Sequence, residues 1–149
     1  MQMKEMVYCS EEKREILDTG YCMGFFYYII SMGTHPCAYI RIPESHKYYK
    51  KDYTEIKDID VHGGLTYSSD ALWINNVQTH EGWFIGWDYG HIDDYMGFFE
   101  NTRWQDSAKK WTVEEIMEDV ASACYQLSQV KIKREGKLIE WIKRFFKKH

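Results

Sequence analysis

The pattern that most restricts this chain lies between Thr112 and Val130. Val113, Ile116, Met117, Val120, Ala123, Cys124, Leu127 and Val130 recur at the i, i+3, i+4, i+7 spacing of one helix face. Thr112-Val113-Glu114-Glu115 stands in front of them as a capping box: the threonine side chain accepts from the N3 amide while Glu115 reaches back to the cap. A helix over residues 113–130 with one apolar stripe needs a surface to lie on, and the sequence upstream reads as strands. The expectation is an α+β fold, with an antiparallel sheet packed by this amphipathic helix in a single domain over residues 1–130.

The strand signals are local. Tyr21 to Ile30 is rich in aromatic and β-branched residues and reads as one central strand. Met32 to Pro36 is a turn, and Cys37 to Ile42 a second strand ended by Pro43. Val61, Leu65 and Tyr67, then Ala71 to Ile74, suggest two short strands. Asn75 to Glu81 reads as a polar connection, and Gly82 to Trp87 as a further strand with Asp88 at its end. Ser10 with the carboxylates after it suggests a short capped helix over 10–17. Residues 95–111, with Phe98, Phe99 and Trp104, read as a long ordered loop.

Beyond Val130 the character changes. Leu138, Ile139, Trp141, Ile142, Phe145 and Phe146 form an apolar stripe with lysines opposite, which reads as a basic amphipathic C-terminal helix over 131–149. Such a helix packs on its own domain or on a second copy, so a homo-oligomer is expected. This tail is strongly basic, so the net charge of −4 conceals a much more acidic body, unsuited to nonspecific contact with nucleic-acid phosphates. Cys9, Cys22, Cys37 and Cys124 show no CxxC spacing. No apolar run reaches transmembrane length, and the first residues lack an apolar leader, so the expected setting is cytoplasmic with reduced thiols.

The chemistry concentrates between Asp60 and Asp94. Gly63-Gly64 after His62 lets the backbone present successive amides to phosphate or carboxylate oxygens, with Thr66 and Ser68 as hydroxyl donors. Asp88, His91 and Asp94 follow a strand at i, i+3, i+6, which can bring an imidazole and two carboxylates to one point. Lys47, Tyr49 and Lys51 form a basic, aromatic loop that can hold an anion, with Tyr89 placed to stack on a base. Each has a plainer reading: a glycine hairpin, an Asp88 that caps a turn, a histidine satisfied beneath aromatics, and a solvated lysine loop. No HExxH, GxSxG, Walker-type loop or GxGxxG is present.

The series Cys37-Ala38-Tyr39-Ile40, His46, Tyr49, Lys51-Asp52-Tyr53, Val61 to Ser68 and Trp83 to His91 with Asp94 resembles a family of small uncharacterised bacteriophage and prophage proteins. The resemblance covers about residues 21–130 and is most specific over VHGGLTYS and WFIGWDxxHxxD. It departs at Lys50, where the family usually has a small residue, and at the Thr34-His35-Pro36 turn, which is one residue longer. It implies a viral protein acting in the cytoplasm of a host bacterium.

The leading expectation is a phage-encoded anti-defence protein that sequesters a small anionic, nucleotide-type immune signal without catalysis or cofactor. Its ligand-binding residues would be Lys47, Tyr49, Lys51, His62, Gly63, Gly64, Thr66, Ser68, Asp88, Tyr89, His91 and Asp94. One alternative is a phosphoesterase with a divalent metal at His62, Asp88, His91 and Asp94, degrading such a signal. Another is an inhibitor that docks on a host defence protein such as a nuclease or effector, in the manner of an anti-CRISPR.

Overall fold

The computed structural model describes residues 14–74, 77–96 and 107–130, with Arg144 beyond them. Five strands, β1 (Glu15–Cys22), β2 (Phe25–Ser31), β3 (Pro36–Ile42), β4 (Tyr67–Ile74) and β5 (Val77–Asp88), form one antiparallel sheet in the order β1-β2-β3-β5-β4. Among the described residues, the helix α1 (Val113–Gln129) packs on it. The fold is α+β, as the helix pattern and strand signals require.

Local expectations are corrected in four places. The stretch from Tyr21 to Ile30 is a hairpin, not one strand. Cys22 pairs with Phe25 across Met23 and Gly24, whose φ values of 51° and 84° give the two-residue turn that suits the strand twist. Glu15 to Leu17 belongs to β1 and not to a helix: Glu15 and Ile16 pair with Ser31 and Ile30, and Leu17 is buried. Pairing with a strand rich in apolar residues outweighs the local cap signal there, while residues 10–13 lie outside the described residues. Val77 to Glu81 is not a connection but the first part of β5, laddered against β4 from Ile74↔Val77 to Ala71↔Glu81. Val61 and Leu65, expected in a strand, sit in the loop ahead of β4. The expected C-terminal helix over 131–149, and Phe98, Phe99 and Trp104, lie outside the described residues.

Alternation along the strands sorts their side chains onto two faces. Tyr27, Ile29, Ala38, Ile40, Ile42, Ile85 and Trp87 meet Ile116, Val120, Ala123, Cys124 and Leu127 of α1. Those five helix residues are fully buried, and the larger ones contribute roughly 1.5–3 kcal/mol each. Tyr28, Ile30, Cys37, Tyr39, Leu72, Ile74 and Phe84 form a second cluster on the opposite face. The capping box is made: the Glu115 amide donates to Thr112 Oγ1 at 3.3 Å and the Thr112 amide to Glu115 Oε1 at 3.1 Å.

His46 ties the loop after β3 to the other end of α1. Its Nδ1 accepts from the Tyr48 amide at 3.0 Å, so Nε2 carries the proton and donates to the Leu127 carbonyl at 2.8 Å. This histidine is structural. Among the described residues, no helix is long and apolar enough to cross a membrane.

Candidate functional site: two imidazoles on one buried carboxylate

Two segments meet beside the N-terminal half of α1. The first is the turn Val61–Gly64, closed by a Gly64 amide donating to the Val61 carbonyl at 2.9 Å. The His62 amide donates to Asp119 Oδ2 of α1 at 3.1 Å, which fixes the turn to the helix. The second begins where β5 ends. The Gly90 amide donates to Asp88 Oδ1 at 3.0 Å, the Asp94 amide to the His91 carbonyl at 2.9 Å, and the backbone at Asp94 pairs with that at Lys109 in an isolated β-bridge. Tyr89 links the two, because its hydroxyl donates to Asp119 at 2.7 Å and accepts from Trp87 Nε1 at 2.9 Å.

Asp94 is the centre of the arrangement and only 1% exposed. Its carboxylate stands 2.8 Å from His62 Nε2 and 3.2 Å from His91 Nδ1, and accepts from the His91 amide at 3.0 Å and Trp111 Nε1 at 2.7 Å. Burial alone would raise its pKa; the bonds from His62, the His91 amide and Trp111 outweigh that and hold the carboxyl below its ordinary value. The histidines are half-buried, with side chains 26% and 36% exposed. His62 lies flat on Tyr89, rings 4.8 Å apart and 3° from parallel, with Trp111 tilted against it at 4.6 Å. Burial, with the bond to Asp119, raises the Tyr89 pKa and keeps the phenol protonated.

A groove of about 490 Å³ opens beside His62 and Trp111 and follows α1. Asp60, Glu115, Glu118 and Asp119 give it an acidic wall, and no Lys or Arg lines it among the described residues. Lys109 stands nearby, but its ammonium is 2.7 Å from Glu115 and 3.9 Å over the Trp111 ring.

Of the residues expected from sequence, His62, Gly63, Tyr89, His91 and Asp94 do converge. Asp88 lies at their edge, 3.8 Å from His91 Nδ1, and accepts from Thr66 Oγ1 at 3.3 Å. Others go elsewhere. Lys47 and Lys51 line a different cavity of about 500 Å³, with Tyr48, Glu55, Lys57 and Asp58. Tyr49 lines a third, of about 440 Å³, with Lys50, Trp73 and Trp83. Ser68 donates to Asp52 at 2.8 Å and accepts from the Tyr53 amide at 3.1 Å, holding a loop in place.

Two expectations are corrected by packing. Tyr89 cannot stack on a ligand base, since it is fully buried beneath His62. The Gly63–Gly64 pair is not an open anion nest: the Gly64 amide is spent on Val61, and His91 covers Gly63.

Trp111, Lys109 and Asp119 were not singled out by sequence. Trp111 directly precedes the capping box, the one signal that places it at the helix entrance. Nothing in the spacing separates Asp119 from the neighbouring Glu114 and Glu118. The assembled centre offers either acid–base chemistry, through imidazoles oriented by one carboxylate, or three ligands for a metal. No family model, curated protein or solved structure matches the chain.

Proposed function

We propose that the protein hydrolyses a small phosphate ester at the His62–Asp94–His91 centre. The observation that carries this reading is one buried carboxylate engaging two half-exposed imidazoles, one of which, His62, lines the groove along α1. Ester hydrolysis needs a group that withdraws a proton from water and positive charge near the phosphoryl oxygens. The two imidazoles are the groups positioned to organise both. Water attacks phosphorus, the P–O bond to the leaving alcohol breaks, and that alcohol takes up a proton. The acidic wall restricts the ester to one whose charge sits at the histidines, not along α1. Given the phage resemblance, we read the substrate as a nucleotide-type immune signal of a bacterial host.

The test is incubation with cyclic dinucleotides, ADP-ribose derivatives and bis(p-nitrophenyl) phosphate, with products separated by chromatography. Cleavage of at least one, reduced on the order of 100-fold or more in His62→Ala and His91→Ala, is expected. Cleavage that survives both changes places the reaction elsewhere.

A second reading, sequestration without catalysis, is favoured by the cavity where Lys47, Lys51 and Lys57 gather around Tyr48. A nucleotide recovered intact that stabilises the fold, an effect lost in Lys47→Ala/Lys51→Ala and kept in His62→Ala, would establish it instead.

A further inference from the structure

We propose that His62 Nε2, His91 Nδ1 and a carboxylate oxygen of Asp94 hold one divalent transition-metal ion. The inference deepens the hydrolytic reading of the same centre. The ligand atoms lie within 4.8 Å of one another, close enough for a single ion to bridge them. An imidazole pair with one carboxylate suits zinc-like or other first-row transition ions, whereas Mg²⁺ and Ca²⁺ prefer oxygen ligands. Three protein ligands leave a coordination position for water, the arrangement of catalytic centres.

The surroundings argue for the ion independently. A phosphate approaching His62 meets Asp60, Glu118 and Asp119, while Lys109, which stands over the Trp111 ring, is bonded to Glu115. Positive charge must be added at the centre if an anion is to be held there. A divalent ion adds it and also acidifies its own water, so the nucleophile forms at neutral pH. Outer partners that orient ligands are already made: Trp111 Nε1 and the His91 amide donate to Asp94, and Tyr89 supports the His62 ring from beneath. Asp88 Oδ1, 3.8 Å from His91 Nδ1, is the next carboxylate outward.

The experiment uses the full chain, stripped with chelator and titrated with Co²⁺ while its visible d–d absorption is followed. One equivalent per chain is expected, displaced by Zn²⁺ and unaffected by excess Mg²⁺. The signal should be lost in His62→Ala and in His91→Ala, each with an unchanged circular-dichroism spectrum. Trp111→Phe, as a change to a positioning residue, should weaken affinity on the order of 10-fold without abolishing it.

No cobalt spectrum, or one that survives both histidine changes, overturns the metal. Esterase activity persisting in the stripped protein also overturns it and leaves the hydrolytic reading standing. Stoichiometric uptake at these residues, with no ester cleaved, establishes the metal and sinks the reaction.

Discussion

The imidazole of His91 occupies the space that a side chain on residue 63 would need. A Cβ built on Gly63 would meet His91 Cε1 at 2.3 Å and Nε2 at 2.4 Å, and Gly63 holds φ of 70°, where other residues are strained. This glycine is thus the condition for the second imidazole to reach Asp94. Gly63→Ala is expected to cost about 1–2 kcal/mol from the backbone alone, before the clash is counted. Urea unfolding measures the loss, and ester cleavage or cobalt uptake should fall with it. Unchanged stability and activity would show that His91 does not pack on this turn.

Trp111 Nε1 donates to Asp94 at 2.7 Å from outside the two histidines. Trp111→Phe keeps most of the ring against His62 and Tyr89 but removes that donor from a buried carboxylate. A loss of about 1.5–3 kcal/mol is expected on chemical denaturation, since the bond is to a charged group. A loss below about 0.5 kcal/mol would mean that water replaces the indole, and that Asp94 is less enclosed than its 1% exposure indicates.

The capping box offers a prediction with a pH signature. Thr112→Ala should cost about 1 kcal/mol. Glu115 is held below its ordinary pKa of 4.5, chiefly by Lys109 and further by Thr112. A carboxylate whose folded pKa is depressed contributes stability that is present above the unfolded value and lost as pH falls through the folded one. The stability gap between the native chain and Glu115→Gln should therefore persist at neutral pH and close below pH 4.5. Thermal unfolding of the pair across that range checks it; a gap that widens with acid would contradict the assignment.

Lys50 holds φ of 61°, in the left-handed region, with its ammonium 5.7 Å over the Tyr49 ring. Glycine adopts this backbone conformation without the strain that a lysine side chain carries. Lys50→Gly is expected to stabilise the fold by up to about 1 kcal/mol, the relief of strain exceeding the added chain entropy. Destabilisation would show that the Lys50–Tyr49 contact outweighs the strain.

The helix was legible because its pattern is redundant, with eight apolar positions and a two-way cap all agreeing. The β1–β2 hairpin was not. Met23-Gly24 lacks the Asn-Gly signature of its turn, so the aromatic residues on either side merge into one apparent strand. Val77 to Glu81 reads as polar because its strand character comes from pairing with β4, a partner that local composition does not reveal. At the centre, His62, His91 and Asp94 stood out as residues with chemistry close to glycine turns. Their common focus depends on Trp111 and Asp119, contributed by the helix end of the chain. Lys47 and Lys51 were drawn into the same site by their charge, but the loop that carries them is tied to Ser68 and to the far end of α1.

The most direct test of the central account is a crystal structure of the full chain grown with Zn²⁺, with anomalous data collected on both sides of the zinc edge. The account predicts one anomalous peak per chain, coordinated by His62 Nε2, His91 Nδ1 and Asp94, with an open position facing the groove. The absence of a peak there, with the two imidazoles still bonded directly to Asp94, would contradict it.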